Sequence, residues 1–210
     1  MKTIINFFEY YGGFLGILIL IYDRLSFYTY KKYFYEKLFL NYGKNIRWGK
    51  HGLRLTIPKN IRISSPHKIS IGNNCQFDEY VYLQVHHEGE NLIIGNNVRI
   101  NAFTHIQAYS SIILHDFVLV APFSHINSGN HGFENINKPI MEQSYKKSGV
   151  IEIAKGSWIG RNSHILGNVK LGENTVIGAG SVVTKSFDNF SVIAGVPAKL
   201  IKVVNANNDI

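Results

Sequence analysis

The stretch NSGNHGFENINKPIMEQSYKKSG (127–149) is polar, carries glycines, and holds one histidine, His131. A neutral imidazole can take a proton from a hydroxyl and return it to a leaving group, which is the demand of acyl transfer to an alcohol. A lone histidine in a polar stretch is otherwise an ordinary surface residue, so its weight depends on what presents it. Three more, His105, His125 and His164, fall at one phase of the repeat described below. That phase stacks them on one outer face, about 4.8 Å apart. A metal site or part of an acceptor groove is open to such a column. Stacked surface or interface histidines is the preferred reading, since metal ligands must converge and not merely align. His86 and His87 receive no role.

The elements that must position these residues keep strict time. Read in steps of six, the C-terminal half gives Ile153, Ile159, Ile165, Leu171, Ile177 and Val183, and the fifth position of a six is usually small or β-branched (Ser157, Ser163, Val169, Thr175, Ser181). A helix repeats at about 3.6 residues and a strand at 2, so a period of six is a short strand plus a turn, repeated. Three sixes close a triangular coil of about 18 residues, and the aliphatics of successive coils line up inside it. Earlier runs keep the beat: Ile57, Ile63, Ile69; Ile71, Phe77, Leu83; Ile94, Ile100, Ile106; Leu114, Val120, Ile126. Two-residue slips at Ile69/Ile71 and Ile112/Leu114 mark coil boundaries.

The beat stops once. From Ile106 to Leu114 the frame advances eight residues, but from Ile126 to Ile153 it advances 27, so 19 residues are extruded between two coils. Long excursions from a rigid scaffold are where function concentrates, and His131 is the candidate it carries.

The hexads, with SGNHGF, KPIMEQ, GSWIGRNSHILGNVKLGENTVIGAGSVVTK and VIAGVPAKLIK, resemble the hexapeptide-repeat acyltransferases, in particular the galactoside, maltose, nodulation-factor and polysaccharide O-acetyltransferases. The resemblance implies an all-β fold, a left-handed parallel β-helix, against the usual right-handed crossover. It implies that His131 is the general base, that acetyl-CoA is the donor substrate with no permanently bound cofactor or metal, and that a backbone N–H such as that of Arg161 holds the oxyanion. Carried over by position, the acetyl-CoA groove takes Trp158, Gly160, Arg161, Ala179, Thr184 and Lys185, with Lys199 and Lys202 near the CoA phosphates. Lysines there act as point charges, without the bidentate fork of arginine. In this family the groove lies between subunits, so a homotrimer is implied. Trp158 falls at an outward position, where it needs cover from a subunit or a substrate.

Ends of a repeat stack need caps. Residues 1–48 are expected to form a helical, basic and aromatic cap or membrane-contacting segment, 49–194 the β-helix with its extruded loop 127–149, and 195–210 a short helix opened by Pro197, then a tail. The charge is uneven: residues 1–68 hold 12 of the 22 Lys and Arg but 3 of the 14 Asp and Glu, and residues 1–48 hold 15 of the 27 aromatics. Nucleic acid, anionic lipid and a polyanionic glycan would all attract such a surface. Lipid is preferred over nucleic acid, because FFEYYGGFLGILILIY is followed by Arg24 and the Lys31, Lys32 pair. The apolar run is interrupted by Asn6, Glu9, Gly12 and Gly13, which suits an interfacial or protein-docked helix better than a spanning one. Cys75 is the single cysteine, excluding an internal disulfide and a cysteine-based metal site. A cytoplasmic location, peripheral at the inner face of the membrane, follows from the donor and from this segment.

The expected activity is acetyl transfer to a sugar hydroxyl in surface polysaccharide biosynthesis. N-acetylation of a nucleotide sugar is one alternative. A zinc hydratase on the same scaffold is another, although it needs converging histidines and His125 and His131 lie six apart. A non-catalytic β-helix is a third, against which the extruded loop argues.

Overall fold

The computed structural model describes residues 41–42, 46–48 and 62–205. Most of segment 1–48, of which membrane contact is expected, and Ile57 lie outside the described residues. Each coil gives one strand to each of three sheets. The first coil holds β1 (Asn41–Tyr42), β2 (Arg47–Trp48) and β3 (Arg62–Ser64). Then come β4 (Ile69–Ile71), β5 (Gln76–Phe77) and β6 (Tyr82–Val85), followed by β7 (Leu92–Ile94), β8 (Arg99–Ile100) and β9 (His105–Ala108). The next coil is β10 (Ile112–Leu114), β11 (Leu119–Val120) and β12 (His125–Asn127). An arm follows, with β13 (Gly129–His131) and β14 (Tyr145–Lys147). The stack resumes with β15 (Ile151–Ile153), β16 (Trp158–Ile159) and β17 (His164–Leu166), then β18 (Val169–Leu171), β19 (Val176–Ile177) and β20 (Val182–Val183). It ends in β21 (Ser191–Gly195) and β22 (Ala198–Val203).

Sheet I runs β1-β4-β7-β10-β15-β18, sheet II β2-β5-β8-β11-β16-β19-β21-β22, and sheet III β3-β6-β9-β12-β17-β20. Within the stack every pairing is parallel except β21 with β22. The result is a left-handed parallel β-helix of about seven turns. The ladders reach back past residue 49, since β1 pairs with β4 and β2 with β5.

The hexad aliphatics fill the prism. Ile71, Ile94, Leu114, Ile153 and Leu171 line sheet I; Phe77, Ile100, Val120, Ile159, Ile177 and Ile193 line sheet II; Ile63, Leu83, Ile106, Ile126, Ile165 and Val183 line sheet III, all buried. The two-residue slips have a simple cause. Ile69 and Ile71, like Ile112 and Leu114, are i and i+2 of one strand and face the same way. In the later coils sheet I keeps an aliphatic at the second inward position, Ile151 and Val169, whereas sheets II and III place buried hydroxyls there: Ser157 Oγ donates to the Gly172 carbonyl (3.1 Å), Thr175 Oγ1 to the same carbonyl (2.8 Å), Ser163 Oγ to Gly178 (3.1 Å) and Ser181 Oγ to Gly178 (2.6 Å). A buried hydroxyl without such a partner would destabilise the coil.

The short helix expected after Pro197 is a strand instead. β21 leaves an open edge on sheet II, and β22 pairs antiparallel with it, Val192 opposite Lys202 and Ala194 opposite Lys199. A two-turn helix is marginal in water, whereas the edge offers backbone partners at once. Only Ala198 of β22 is buried.

The corners also matter. At the turn between sheets II and III, Tyr80, Phe103 and Phe123 occupy left-handed backbone with φ of 61°, 59° and 63°, a region that bulky residues rarely adopt. Their exposed rings stack, with centroids 4.8 and 4.9 Å apart.

Candidate active site

His131 stands on an ordered arm at the corner between sheets III and I. Ser128 at the arm's root is fully buried. Its Oγ donates to the Ser110 carbonyl (2.7 Å) and accepts from the Tyr109 N–H (3.0 Å). From there β13 and β14 pair antiparallel, Gly129 with Lys147, Asn130 with Lys146 and His131 with Tyr145. At the tip, Gln143 Nε2 donates to the carbonyls of Asn135 (3.0 Å) and Lys138 (2.9 Å), and Lys146 pairs with Glu134 (2.6 Å). The extruded segment is therefore a hairpin with its own hydrogen bonds.

The His131 ring is exposed and lies against Tyr145, with centroids 4.3 Å apart and planes at 46°. Its backbone N–H is taken by Asn130 Oδ1 (2.9 Å). Among the described residues no side chain hydrogen bonds to its ring nitrogens. Behind Tyr145 sit Tyr109 (5.5 Å) and His86 (5.3 Å), themselves stacked at 4.6 Å. His86 rides on a bulge, residues 86–90, which lengthens the coil from Ile71 to Ile94 to 23 residues where that from Ile153 to Leu171 takes 18. The bulge is anchored three ways. Lys68 Nζ donates to the carbonyls of His87 and Gly89, both at 2.8 Å. Glu90 Oε2 accepts from the N–H and Oγ of Ser111, both at 2.9 Å. Lys147 of the arm closes on Glu90 Oε1 at 2.9 Å. Burial depresses the His86 pKa, and burial together with the neighbouring Tyr145 raises that of Tyr109. Lys147 and Ser111 hold the Glu90 carboxyl below the usual range.

The candidate groove residues do not share one edge of the β-helix. Trp158 stands outward on sheet II, half exposed, between Leu119 and Val176. Gly160, Arg161 and Ala179 follow β16 and β19 at the corner of sheets II and III. Gly160 is buried, and a Cβ there would lie 2.4 Å from the Ile177 carbonyl oxygen. The Arg161 guanidinium covers the Phe123 ring at 4.8 Å, crowning the aromatic stack. The backbone N–H of Arg161 has no acceptor among the described residues. Thr184 and Lys185 sit after β20 at the corner of sheets III and I, on the same edge as the arm. Lys185 is 5.5 Å from the Phe187 ring centroid. Lys199 and Lys202 are exposed on β22.

His105, His125 and His164 are in register across sheet III as the repeat predicts. Tyr82 stacks on His105 at 4.5 Å, His105 on His125 at 5.1 Å, and His125 meets His164 edge-on at 5.9 Å. Burial and the adjacent imidazole lower the His105 pKa to about 4, and burial with His164 lowers that of His125. Among the described residues this column does not gather three metal-donor atoms. The group that does is His86, His87 and Glu88, within 4.8 Å of one another. The Cys75 thiol is buried and its pKa raised by that burial, so it is not a nucleophile candidate. Tyr145, Tyr109 and His86 have no signature in the sequence. Their partners are far along the chain, and ring stacking across a hairpin leaves no period to find. No helix among the described residues is long and apolar enough to cross a membrane.

Comparison with known proteins adds what geometry cannot. The family model "Bacterial transferase hexapeptide (six repeats)" matches residues 151–185. WbbJ of Escherichia coli K12, named as a lipopolysaccharide biosynthesis O-acetyl transferase, is 32% identical over 144 residues, covering 65% of this chain and 72% of its own. A dTDP-4-amino-4,6-dideoxy-D-glucose acyltransferase of Escherichia coli is 30% identical over 166 residues, covering 70% of this chain and 80% of its own. Among solved structures, a point mutant of AntD, an N-acyltransferase from Bacillus cereus in complex with dTDP and coenzyme A, superposes with a TM-score of 0.65 at 27% identity, over 86% of this chain and 91% of that one. The same repeat thus runs through proteins that transfer acyl groups, and this chain belongs to the hexapeptide-repeat acyltransferase family.

Proposed function

We propose that the chain transfers an acetyl group from acetyl-CoA to a sugar hydroxyl in surface-glycan biosynthesis, with His131 as general base. The observation that carries this is the exposed imidazole of His131, held out on an ordered hairpin beside an aromatic wall. His131 takes the hydroxyl proton as the oxygen attacks the thioester carbon, forming the new C–O bond. The resulting oxyanion is held by a backbone N–H, for which the Arg161 amide is suited since it has no acceptor of its own among the described residues. Collapse breaks the C–S bond, and the His131 imidazolium returns the proton to the CoA thiolate.

The groove assignment calls for more than one subunit. Gly160, Arg161 and Ala179 lie on one edge of sheet III, while His131, Thr184 and Lys185 lie on the other. A homotrimer that sets one protomer's first edge against its neighbour's second would complete the site, with Trp158 covered at the junction. Lys199 and Lys202 would then meet the CoA phosphates as point charges. Acetyl-CoA as donor supports a cytoplasmic site, and the basic, aromatic composition of residues 1–48 supports contact with the inner face of the membrane.

A second reading, N-acylation of an amino sugar on a nucleotide, is supported by the likeness to AntD and to the dTDP-amino-sugar acyltransferase. Free-thiol release from acetyl-CoA, followed across polysaccharides, simple glycosides and hydroxyl or amino nucleotide sugars, separates the two. His131→Ala should abolish release while leaving the oligomer intact. Undiminished release by that variant would remove the base assignment.

A further inference from the structure

Resting on His131 as the base, we propose that Tyr145 is its positioning residue, acting by ring packing in place of a hydrogen-bonded orienter. A general base must be held at the angle its reaction needs. His131 has no carboxylate or carbonyl on either ring nitrogen among the described residues, and its backbone bond to Asn130 fixes the main chain, not the ring. What touches the imidazole is Tyr145, its direct cross-strand partner, at 4.3 Å. Directly opposed side chains on one hairpin face are the pairs whose rings meet.

Tyr145 is itself braced. It is half exposed, so burial alone does not fix it. Tyr109 and His86 stand behind its ring. Tyr109 is 8% exposed and tied through its hydroxyl to Gln107 Nε2 at 3.2 Å. The bulge that brings His86 is bound to the arm through Glu90 and Lys147. Bulge and arm, 57 residues apart at that ion pair, thus converge on one ring. Among the described residues the hydroxyl of Tyr145 makes no hydrogen bond in this brace, so the ring is the functional element.

The test compares Tyr145→Phe and Tyr145→Ala with the full chain. Tyr145→Phe should hold kcat within about twofold, because the packing surface remains. Tyr145→Ala should lower kcat by about 10- to 100-fold at saturating acceptor, with KM for acetyl-CoA unchanged. His86→Ala, which removes part of the brace, should give a smaller loss in the same parameter. An unchanged kcat in Tyr145→Ala, or a loss confined to the acceptor KM, overturns the proposal; the second outcome would make Tyr145 a substrate contact instead. An independent readout is the ring-current shift on the His131 imidazole protons by NMR. It should be present in the unmodified chain and in Tyr145→Phe and lost in Tyr145→Ala. Its absence in the unmodified chain refutes the packing even if His131 is the base. Its presence with an active His131→Ala variant refutes the base assignment and leaves only the contact.

Discussion

Gly129 begins β13, and the side chain it lacks is the space that Tyr109 fills. A Cβ at this position would lie 2.0 Å from Tyr109 Cδ2 and 2.2 Å from Cγ, where ordinary contact is about 3.5 Å or more. Cγ is the near end of the ring, so no terminal rotation relieves the overlap. The ring also cannot swing freely, with His86 stacked on it and Gln107 on its hydroxyl. Gly129→Ala should therefore cost about 1–3 kcal/mol, the range for an overpacked core. For a chain of this size that is a Tm lower by roughly 2–12 °C. The assay is thermal or denaturant unfolding of four proteins: unmodified, Gly129→Ala, Tyr109→Ala and the double variant. With the ring removed the clash has no partner, so Gly129→Ala should be close to neutral in the Tyr109→Ala background. CoA release should fall in Gly129→Ala, because the shifted arm carries His131. Equal destabilisation by Gly129→Ala in both backgrounds would refute the reasoning.

Three other outcomes follow from the geometry. Ile159→Ala, which empties a fully buried position in the sheet II column, should destabilise by about 2–5 kcal/mol in denaturant titrations. His105 has a folded pKa of about 4, below the value of 6.5 for the free side chain. The unfolded chain therefore binds the proton first, and the Tm should fall as pH drops from about 6.5 toward 4, with His105→Gln flattening that slope. Replacing Lys199 and Lys202 together by Ala should raise KM for acetyl-CoA several-fold, about 3- to 10-fold if each contributes a surface-level charge contact, and leave kcat alone; an unchanged KM measured at low salt would remove both from the CoA site.

The coil stack was legible because burial imposes a period. Every hexad aliphatic from Ile63 to Val183 that the structure describes is inside, and nothing but a regular coil keeps branched side chains at that spacing. The histidine column was legible for the same reason, being a register prediction. The arm was legible only as an interruption. β14, Tyr145 to Lys147, is exposed at all three positions, so no apolar alternation marks it as a strand. Its pairing is set by the partner strand and by Ser128 at the root. His86 was opaque because its neighbours Tyr109 and Tyr145 lie in later coils, and the bulge that carries it is a local lengthening without a motif. The C-terminal segment misled in a different way. Pro197 followed by alternating aliphatics and lysines fits a short amphipathic helix and an edge strand alike, and the open edge of β21 decided between them.

That edge has a wider consequence. A stack of parallel strands with unpaired backbone at its end is a template onto which another chain can add, and repeated addition makes a fibre. β22 runs against the direction of the stack and slips register between Val192 and Ile193, so the next row it would offer is neither parallel nor evenly spaced. It also carries two lysines, which repel an identical end. The hairpin at the C-terminus thus acts as a terminator written into the chain, keeping a fold built like a filament to a finite length.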